Sequence, residues 1–233
     1  MNIEIKNLSK SYNGTPVLEN LSLVLTNSKP VCLMGPSGRG KTTLFSILLG
    51  LIKADSGSIT GIENKQFSAV FQEDRLCRQL SALMNLAIVQ DNPDKAQLTG
   101  LLKKMGLTDD EIRRPVSQLS GGQKRRVAIL RSLVSDSDIV LMDEPFKGLD
   151  DDTRRVVINQ VKDLLAGRIL MVITHDEQDA ELLGGDIVEL KNKDNSYSSR
   201  NISGCFSFTQ TKIKYNLLSY SKNFAILKIY SYI

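Results

Sequence analysis

The sequence contains little that would place the protein within a membrane, outside the cell or among zinc-binding proteins. No segment of the chain approaches the roughly 18 consecutive apolar residues that a membrane-spanning helix needs. The amino terminus lacks an apolar stretch of signal-peptide length, so we expect a cytoplasmic protein. The three cysteines, Cys32, Cys77 and Cys205, are widely separated, which fits neither a disulfide framework nor a zinc site.

Excess positive charge is confined to one end of the chain. The formal net charge is +4, and residues 206–233 contain four lysines and no acidic residue. The remainder is formally neutral, and we therefore predict no nucleic-acid partner. Residues 206–233 also hold four of the six tyrosines and have no clear periodicity. We divide the chain into a folded domain, residues 1–205, and an atypical tail, residues 206–233. The tail is a membrane-proximal or partner-binding extension, a poorly ordered segment, or a translated stretch foreign to the ancestral gene.

Strands and helices alternate along most of the chain. Alternating apolar residues predict short strands within residues 3–25. Further strands are predicted at 31–34, 68–71, 139–142, 169–173 and 187–190, with helices from residue 42 to about 50, from residue 120, and at about 153–165 and 177–183. This order predicts an α/β fold with a mostly parallel sheet covered on both faces. Residues 76–116 have helical patterning, which predicts a helical insertion.

A glycine-rich loop follows the predicted strand at 31–34 and matches the pattern G-x-x-x-x-G-K-[ST]. Glycines let several backbone N–H groups converge on phosphate oxygens, and the helix that follows begins with unpaired N–H groups. We expect Lys41 to reach the β- and γ-phosphates of ATP and the Thr42 hydroxyl to bind Mg²⁺. The predicted nucleotide-binding residues here are Gly35, Pro36, Ser37, Gly38, Arg39, Gly40, Lys41, Thr42 and Thr43.

Two carboxylates, Asp143 and Glu144, end the apolar strand at 139–142. A parallel strand delivers its last residues to the sheet edge where the phosphate loop also lies. We expect Asp143 to hold the Mg²⁺ shell and Glu144 to polarise the attacking water.

The segment LSGGQ, residues 119–123, narrows the choice among nucleotide hydrolases. With the phosphate loop and the acidic strand end in the same order, about residues 1–200 resemble ABC ATPases. The resemblance implies a P-loop NTPase core, an N-terminal antiparallel β-subdomain and a helical subdomain at about 73–118. It also implies that a helix start closes on the γ-phosphate held by a second copy of the chain, in a head-to-tail pair. The residues of that helix start are Ser120, Gly121, Gly122 and Gln123. Alone, this segment is also typical of an ordinary capped helix start.

Four further positions match motifs of the same family. Gln72 matches the glutamine that senses Mg²⁺ and water, and His175, the single histidine of the chain, matches the histidine that contacts the γ-phosphate. Asp150 belongs to the segment that crosses the dimer interface. Tyr12 matches the aromatic residue that stacks on adenine, a contact that needs only a flat π face.

The resemblance implies an ATP hydrolase that drives transport through integral membrane permease subunits, from the cytoplasmic face of the cell membrane. The segments FQEDRL, SALMNL and DEPFKGLDDDTR are similar to small importer ATPases, particularly those serving sulfonate, nitrate or related solutes, which would add a solute-binding protein as a partner. The sequence departs from the family pattern at Lys147, where a small residue is common, and at Cys77 and Arg78, which replace apolar residues.

Two other functions stay open at the level of sequence. The first, a non-transport ABC ATPase of DNA repair or chromosome organisation, would carry long coiled coils for which residues 43–118 leave no room. The second, a regulatory subunit that does not hydrolyse ATP, is opposed by the intact Lys41, Asp143, Glu144 and His175.

Overall fold

The structure, a computed structural model, describes residues 1–190 and the backbone of residues 197–200. The tail that we defined at 206–233 lies outside the described residues. In the described part, no helix is long and apolar enough to cross a membrane.

The amino-terminal half begins with a three-stranded antiparallel sheet. Its strands are β1 (Asn2–Tyr12), β2 (Thr15–Thr26) and β4 (Ser56–Thr60), in the order β2-β1-β4. The short strands expected within residues 3–25 are in fact two long ones, because Asn13 and Gly14 both have positive φ and form a tight hairpin turn. The sequence did not predict β4, since only Ile59 of its five residues is buried and its pattern is mostly polar.

The second sheet is parallel apart from one edge strand. Its order is β5-β6-β7-β3-β8-β9, and only β9 runs antiparallel to its neighbour. The strands are β3 (Val31–Met34), β5 (Phe67–Val70), β6 (Ile139–Asp143), β7 (Ile169–Ile173), β8 (Asp186–Leu190) and β9 (Tyr197–Arg200). Every residue of β3, β6 and β7 is buried, as expected for central strands with both faces covered.

Seven α-helices and one 3₁₀ turn complete the described part of the chain. They are α1 (Lys41–Leu48), α2 (Ala82–Ala87), α3 (Lys95–Lys104), α4 (Asp109–Arg113), the 3₁₀ turn Val116–Gln118, α5 (Gly121–Val134), α6 (Asp151–Leu165) and α7 (Glu177–Leu183). The helical patterning expected from residue 76 begins only at α2, because the Ser81 side chain caps that helix by accepting a hydrogen bond from the Met84 N–H.

The parallel sheet separates two hydrophobic cores. Along β6, Ile139 and Leu141 face the core shared with α1 and the antiparallel sheet, whereas Val140 and Met142 face the core shared with the helices of the insertion. This alternation follows from the two-residue repeat of a strand. The α/β fold with its antiparallel amino-terminal sheet is therefore confirmed, and the carboxyl edge of the parallel sheet carries the ends of β3, β6 and β7.

Candidate functional site

The glycine-rich loop joins β3 to α1 in backbone conformations that L side chains rarely adopt. Gly35, Gly38 and Gly40 have φ values of +133°, +79° and +82°. A Cβ atom at Gly35 would lie 2.6 Å from the Leu190 carbonyl oxygen, and one at Gly40 would lie 2.5 Å from a Leu18 methyl carbon. Glycine is required at these two positions for both torsional and steric reasons, because the loop packs closely against β8 and β2.

Lys41 is folded back inside that loop. Its Nζ donates hydrogen bonds to the carbonyl oxygens of Gly35, at 2.5 Å, and Pro36, at 2.9 Å. Burial lowers the pKa of Lys41, while the charges of Glu144 and Asp143 act in the opposite direction. The glycine-rich loop therefore holds the ammonium group through two of its carbonyl oxygens, in the part of the chain where a phosphate is expected.

Thr42 and Asp143 bring the loop and the end of β6 together. The Thr42 hydroxyl donates a hydrogen bond to Asp143 Oδ2 over 3.3 Å, and Asp143 Oδ1 is buried without a hydrogen-bond partner. Burial, followed by the charge of Glu144, raises the pKa of Asp143, although hydrogen bonds with Thr42 and Gln72 oppose the rise. The structure thus groups a hydroxyl, a carboxylate and an amide at one place, as the sequence predicted for Thr42, Gln72 and Asp143.

Glu144 has a left-handed backbone directly after Asp143, the last residue of β6. Its φ is +47°, uncommon for a residue with a side chain, and its N–H donates to the Ile173 carbonyl oxygen at 2.8 Å. Glu144 Oε1 lies 3.1 Å from His175 Nε2. Burial would raise the pKa of Glu144, but the hydrogen bond and charge of Lys147, with His175 and Lys41, bring that pKa below its ordinary value. Of the three residues predicted to be catalytic, Glu144, His175 and Gln72, the first two are therefore in contact.

The loop that carries His175 is anchored from both sides. The Thr174 N–H donates to the Leu33 carbonyl oxygen, and its hydroxyl donates to the Asp179 carboxylate on α7. Arg154 on α6 forms ion pairs with Asp176 and Asp179. Sequence reasoning missed these supporting residues. No signal in the sequence marked them, because Asp179 is one of three acidic residues in α7 and the other two are exposed.

Arg125 is a second supporting residue that the sequence did not reveal. Its guanidinium donates to the carbonyl oxygens of Phe71 and Gln72, at 2.6 and 2.7 Å, and lies 3.2 Å from Asp74. Since Arg125 belongs to α5, the helix that starts after Ser120, the position of Gln72 is tied directly to that helix.

Three predicted site elements lie apart from this cluster. Ser120 caps α5 by accepting a hydrogen bond from the Gln123 N–H, and Gln123 Nε2 donates to Glu111 at 2.6 Å. Gly121 and Gly122 form the first turn of α5. Asp150 caps α6 by accepting from the Thr153 N–H. Tyr12 stands at the end of β1 with 46% of its surface exposed and Lys10 Nζ 5.6 Å from its ring centre. These side-chain contacts do not involve the glycine-rich loop.

Comparison with known proteins identifies the family. A family model described as ABC transporter matches residues 18–147. The aliphatic sulfonates import ATP-binding protein SsuB 3 of Rhodococcus jostii is 36% identical, over 82% of this chain and 71% of that protein. The taurine import ATP-binding protein TauB of Escherichia coli O157:H7 is 35% identical, over 81% of this chain and 79% of that protein.

Solved structures agree with this relationship. The ATP-binding cassette MJ0796, determined as a dimer in a post-hydrolysis state with ADP and Pi, superposes with a TM-score of 0.73 at 27% identity. The alignment covers 87% of this chain and all of that chain. The resemblance inferred from the motifs is confirmed: the chain belongs to the ABC transporter family, as an importer-type ATPase that binds nucleotide.

Proposed function

We propose that this chain hydrolyses ATP at the carboxyl edge of its parallel sheet, using Lys41, Glu144 and His175. The observation that carries this proposal is the convergence of three separate segments on one place. Lys41 begins α1 after the loop that follows β3, Asp143 ends β6 with Glu144 directly after it, and His175 follows β7. A lysine held by the carbonyl oxygens of the glycine-rich loop, with a carboxylate and an imidazole on neighbouring strand ends, suits phosphoryl transfer to water.

Each group has a role that follows from its chemistry. The Gly35–Thr43 backbone and Lys41 would hold the phosphate oxygens and stabilise the negative charge that develops on them. Glu144 would orient the attacking water and accept its proton, and a hydrogen bond from His175 would stabilise the γ-phosphate. Tyr12, with its exposed ring, would stack on the adenine.

The residues around Asp143 fit a magnesium ion. Mg²⁺ prefers oxygen ligands and keeps several of its waters, so one carboxylate and one hydroxyl beside phosphate oxygens suffice. The buried, unpartnered Asp143 Oδ1 supports this assignment, because a buried carboxylate oxygen is costly without a cation or donor. Thr42, Asp143 and Gln72 would hold the ion, which neutralises phosphate charge when bound.

We further propose that two copies of the chain form a head-to-tail pair around two ATP molecules. Ser120, Gly121, Gly122 and Gln123 make no side-chain contact with their own glycine-rich loop, yet they begin a 14-residue helix whose N-terminus attracts anions. In the pair, this helix start would face the γ-phosphate of the other copy, and Asp150 would lie at the interface.

The membrane partners are proposed to be two permease subunits, with a solute-binding protein as an additional component of an importer for a small solute. The helical subdomain at about 73–118 would contact the permeases. A groove on this side of the molecule is lined by Arg78, Gln79, Ser117 and Lys124, so it is polar and basic. This arrangement would place the protein peripherally at the cytoplasmic face of the membrane. The domain at 1–205 would hydrolyse ATP without the tail at 206–233.

Glu144→Gln provides the test of the hydrolytic role. The amide cannot accept a proton from water, so we expect phosphate release to fall at least about 100-fold, within the usual effect of losing a general base. The same variant with ATP should elute as a dimer in size-exclusion chromatography, since ATP persists between the two copies. Equal phosphate release by both proteins would remove Glu144 from the mechanism, and a monomeric profile at high protein concentration would argue against the pair.

A further inference from the structure

Both oxygens of the Glu144 carboxylate have a partner within this single chain. Oε1 lies 3.1 Å from His175 Nε2, and Oε2 accepts a hydrogen bond from Lys147 Nζ at 2.8 Å. A general base must offer a free oxygen lone pair directed at its water. In this arrangement, one oxygen accepts a hydrogen bond from an ammonium group and the other lies beside an imidazole nitrogen.

The contact with Lys147 is local and depends on the turn that follows β6. Lys147 lies three residues after Glu144, and its N–H donates to the Glu144 carbonyl oxygen at 3.3 Å. Gly148 follows with a φ of +78°, which ends the turn. The turn directs the ammonium back onto the carboxylate, so the contact needs a side chain at position 147 that is long enough to reach it and able to donate a hydrogen bond.

The two partners differ strongly in exposure. The Glu144 side chain is 12% exposed and the Lys147 side chain 75% exposed. An exposed ammonium loses little when it returns to water, and ion pairs of this kind contribute about 0–1 kcal/mol. Of the two contacts to the base, the one with Lys147 is therefore easily released.

We propose that Lys147 is a positioning residue that restrains Glu144 in the resting chain and slows ATP hydrolysis until the dimer closes. The proposal rests on the hydrolytic role of Glu144 proposed above. Closure would place the attacking water at the carboxylate, and the ammonium would be displaced to solvent or to the interface. Lys147 then acts as a weak restraint on basal turnover.

The first test compares Lys147→Met, Lys147→Arg and the wild-type full-length chain in steady-state ATP hydrolysis. Because the restraint is an exposed ion pair, Lys147→Met should raise kcat about two- to fivefold with KM unchanged. Lys147→Arg keeps the positive charge and should retain the wild-type rate. Lys6→Met removes another exposed ion pair, that of Lys6 with Glu4, and is the matched control. A lower kcat for Lys147→Met would show that the lysine assists hydrolysis, which would overturn the proposal.

The second test needs neither nucleotide nor turnover. His175 is the only histidine, so its imidazole gives a single set of NMR resonances. Lys147→Met should shift these resonances in the nucleotide-free protein at fixed pH, because Glu144 is then held by His175 alone. Lys6→Met and Lys147→Arg should leave them in place. Unchanged resonances in Lys147→Met would overturn the proposed restraint, whatever the ATPase results.

A double substitution separates this inference from the hydrolytic role itself. In a Glu144→Gln background, Lys147→Met should leave the residual rate unchanged, since no carboxylate remains to be restrained. An increase there similar to the one in the wild-type background would contradict a restraint that acts through Glu144. If Glu144→Gln hydrolyses ATP normally while the His175 resonances respond to Lys147→Met, the hydrolytic role fails and the contact stands.

Discussion

At the scale of single residues, neighbouring carboxylates in this chain have opposite properties. Asp143 is buried with one unpartnered oxygen, and its pKa is raised, whereas the pKa of Glu144 is lowered by surrounding donors that outweigh its burial. The difference lies in their surroundings: burial and the neighbouring Glu144 charge raise the pKa of Asp143, whereas Lys147, His175 and Lys41 lower that of Glu144. Perturbed carboxyl groups of this kind cluster at functional sites, where charge is kept at a cost in stability.

We expect Asp143→Asn to abolish ATP hydrolysis and yet stabilise the protein measured with EDTA. Removing a buried charge should raise the melting temperature by about 2–4 °C, which corresponds to about 1 kcal/mol for a chain of this size. Differential scanning calorimetry at pH 7 measures this change. A lower melting temperature without metal would mean that the carboxylate is structurally required.

Asp138→Asn is the matched variant, for which we expect the melting temperature to change in the opposite direction. The Asp138 carboxylate accepts hydrogen bonds from the Gln66 N–H and from Lys65, and these lower its pKa. The carboxylate is partly exposed, so solvent limits its contribution to stability to less than about 1 kcal/mol. The melting temperature of the variant should therefore fall by about 2 °C. Because its pKa is lowered in the folded state, the Asp138 carboxylate stabilises the fold at pH values above its unfolded pKa, near 3.9. This stabilisation is lost as the pH falls, so the difference in melting temperature between the variant and wild type should shrink below about pH 4.

At the scale of elements, the phosphate loop depends on what surrounds each glycine. Gly38 has φ +79° but open space where a Cβ would stand, whereas Gly40 has φ +82° and would place a Cβ 2.8 Å from the Val17 carbonyl oxygen. The glycines of the motif look alike in sequence. Only the packing of β2 against the loop distinguishes them.

Gly40→Ala should therefore be more damaging than Gly38→Ala. For Gly38→Ala we expect a loss of about 1–2 kcal/mol, the torsional cost of a side chain at positive φ. Gly40→Ala adds a clash with backbone atoms, so its free energy of unfolding should be lower than that of Gly38→Ala by at least about 1 kcal/mol. Urea unfolding followed by circular dichroism compares the two variants. Equal midpoints would indicate that the loop relaxes away from β2.

At the scale of the whole molecule, the candidate site is only partly assembled in one chain. Topology brings the ends of β3, β6 and β7 to one sheet edge, so Lys41, Asp143, Glu144 and His175 meet without a partner. The start of α5 belongs to the helical part of the molecule, where Ser120 contacts Gln123. Its proposed nucleotide contact requires a second copy, so its function can be tested only in the assembled pair.

Ser120→Ala and Thr108→Ala separate capping from assembly. Both residues cap helices through capping boxes, Ser120 at α5 and Thr108 at α4, and each substitution should cost about 1 kcal/mol of stability. We expect only Ser120→Ala, combined with Glu144→Gln, to lose the ATP-dependent dimer in size-exclusion chromatography. If both variants still dimerise with ATP, the start of α5 does not face the nucleotide of the other copy.

The sequence by itself determined the α/β class, the glycine-rich loop and the carboxylates after β6, because these depend on local periodicity and on motifs of fixed spacing. It also predicted the bounds of β3 and β7, whose residues are uniformly apolar. Only the tertiary structure determined the position of the polar strand β4, the hydrogen bond from Arg125 to the Gln72 carbonyl oxygen and the contact of Glu144 with His175. Those features join residues distant along the chain, so their geometry follows from how the sheets and helices pack and not from any local pattern.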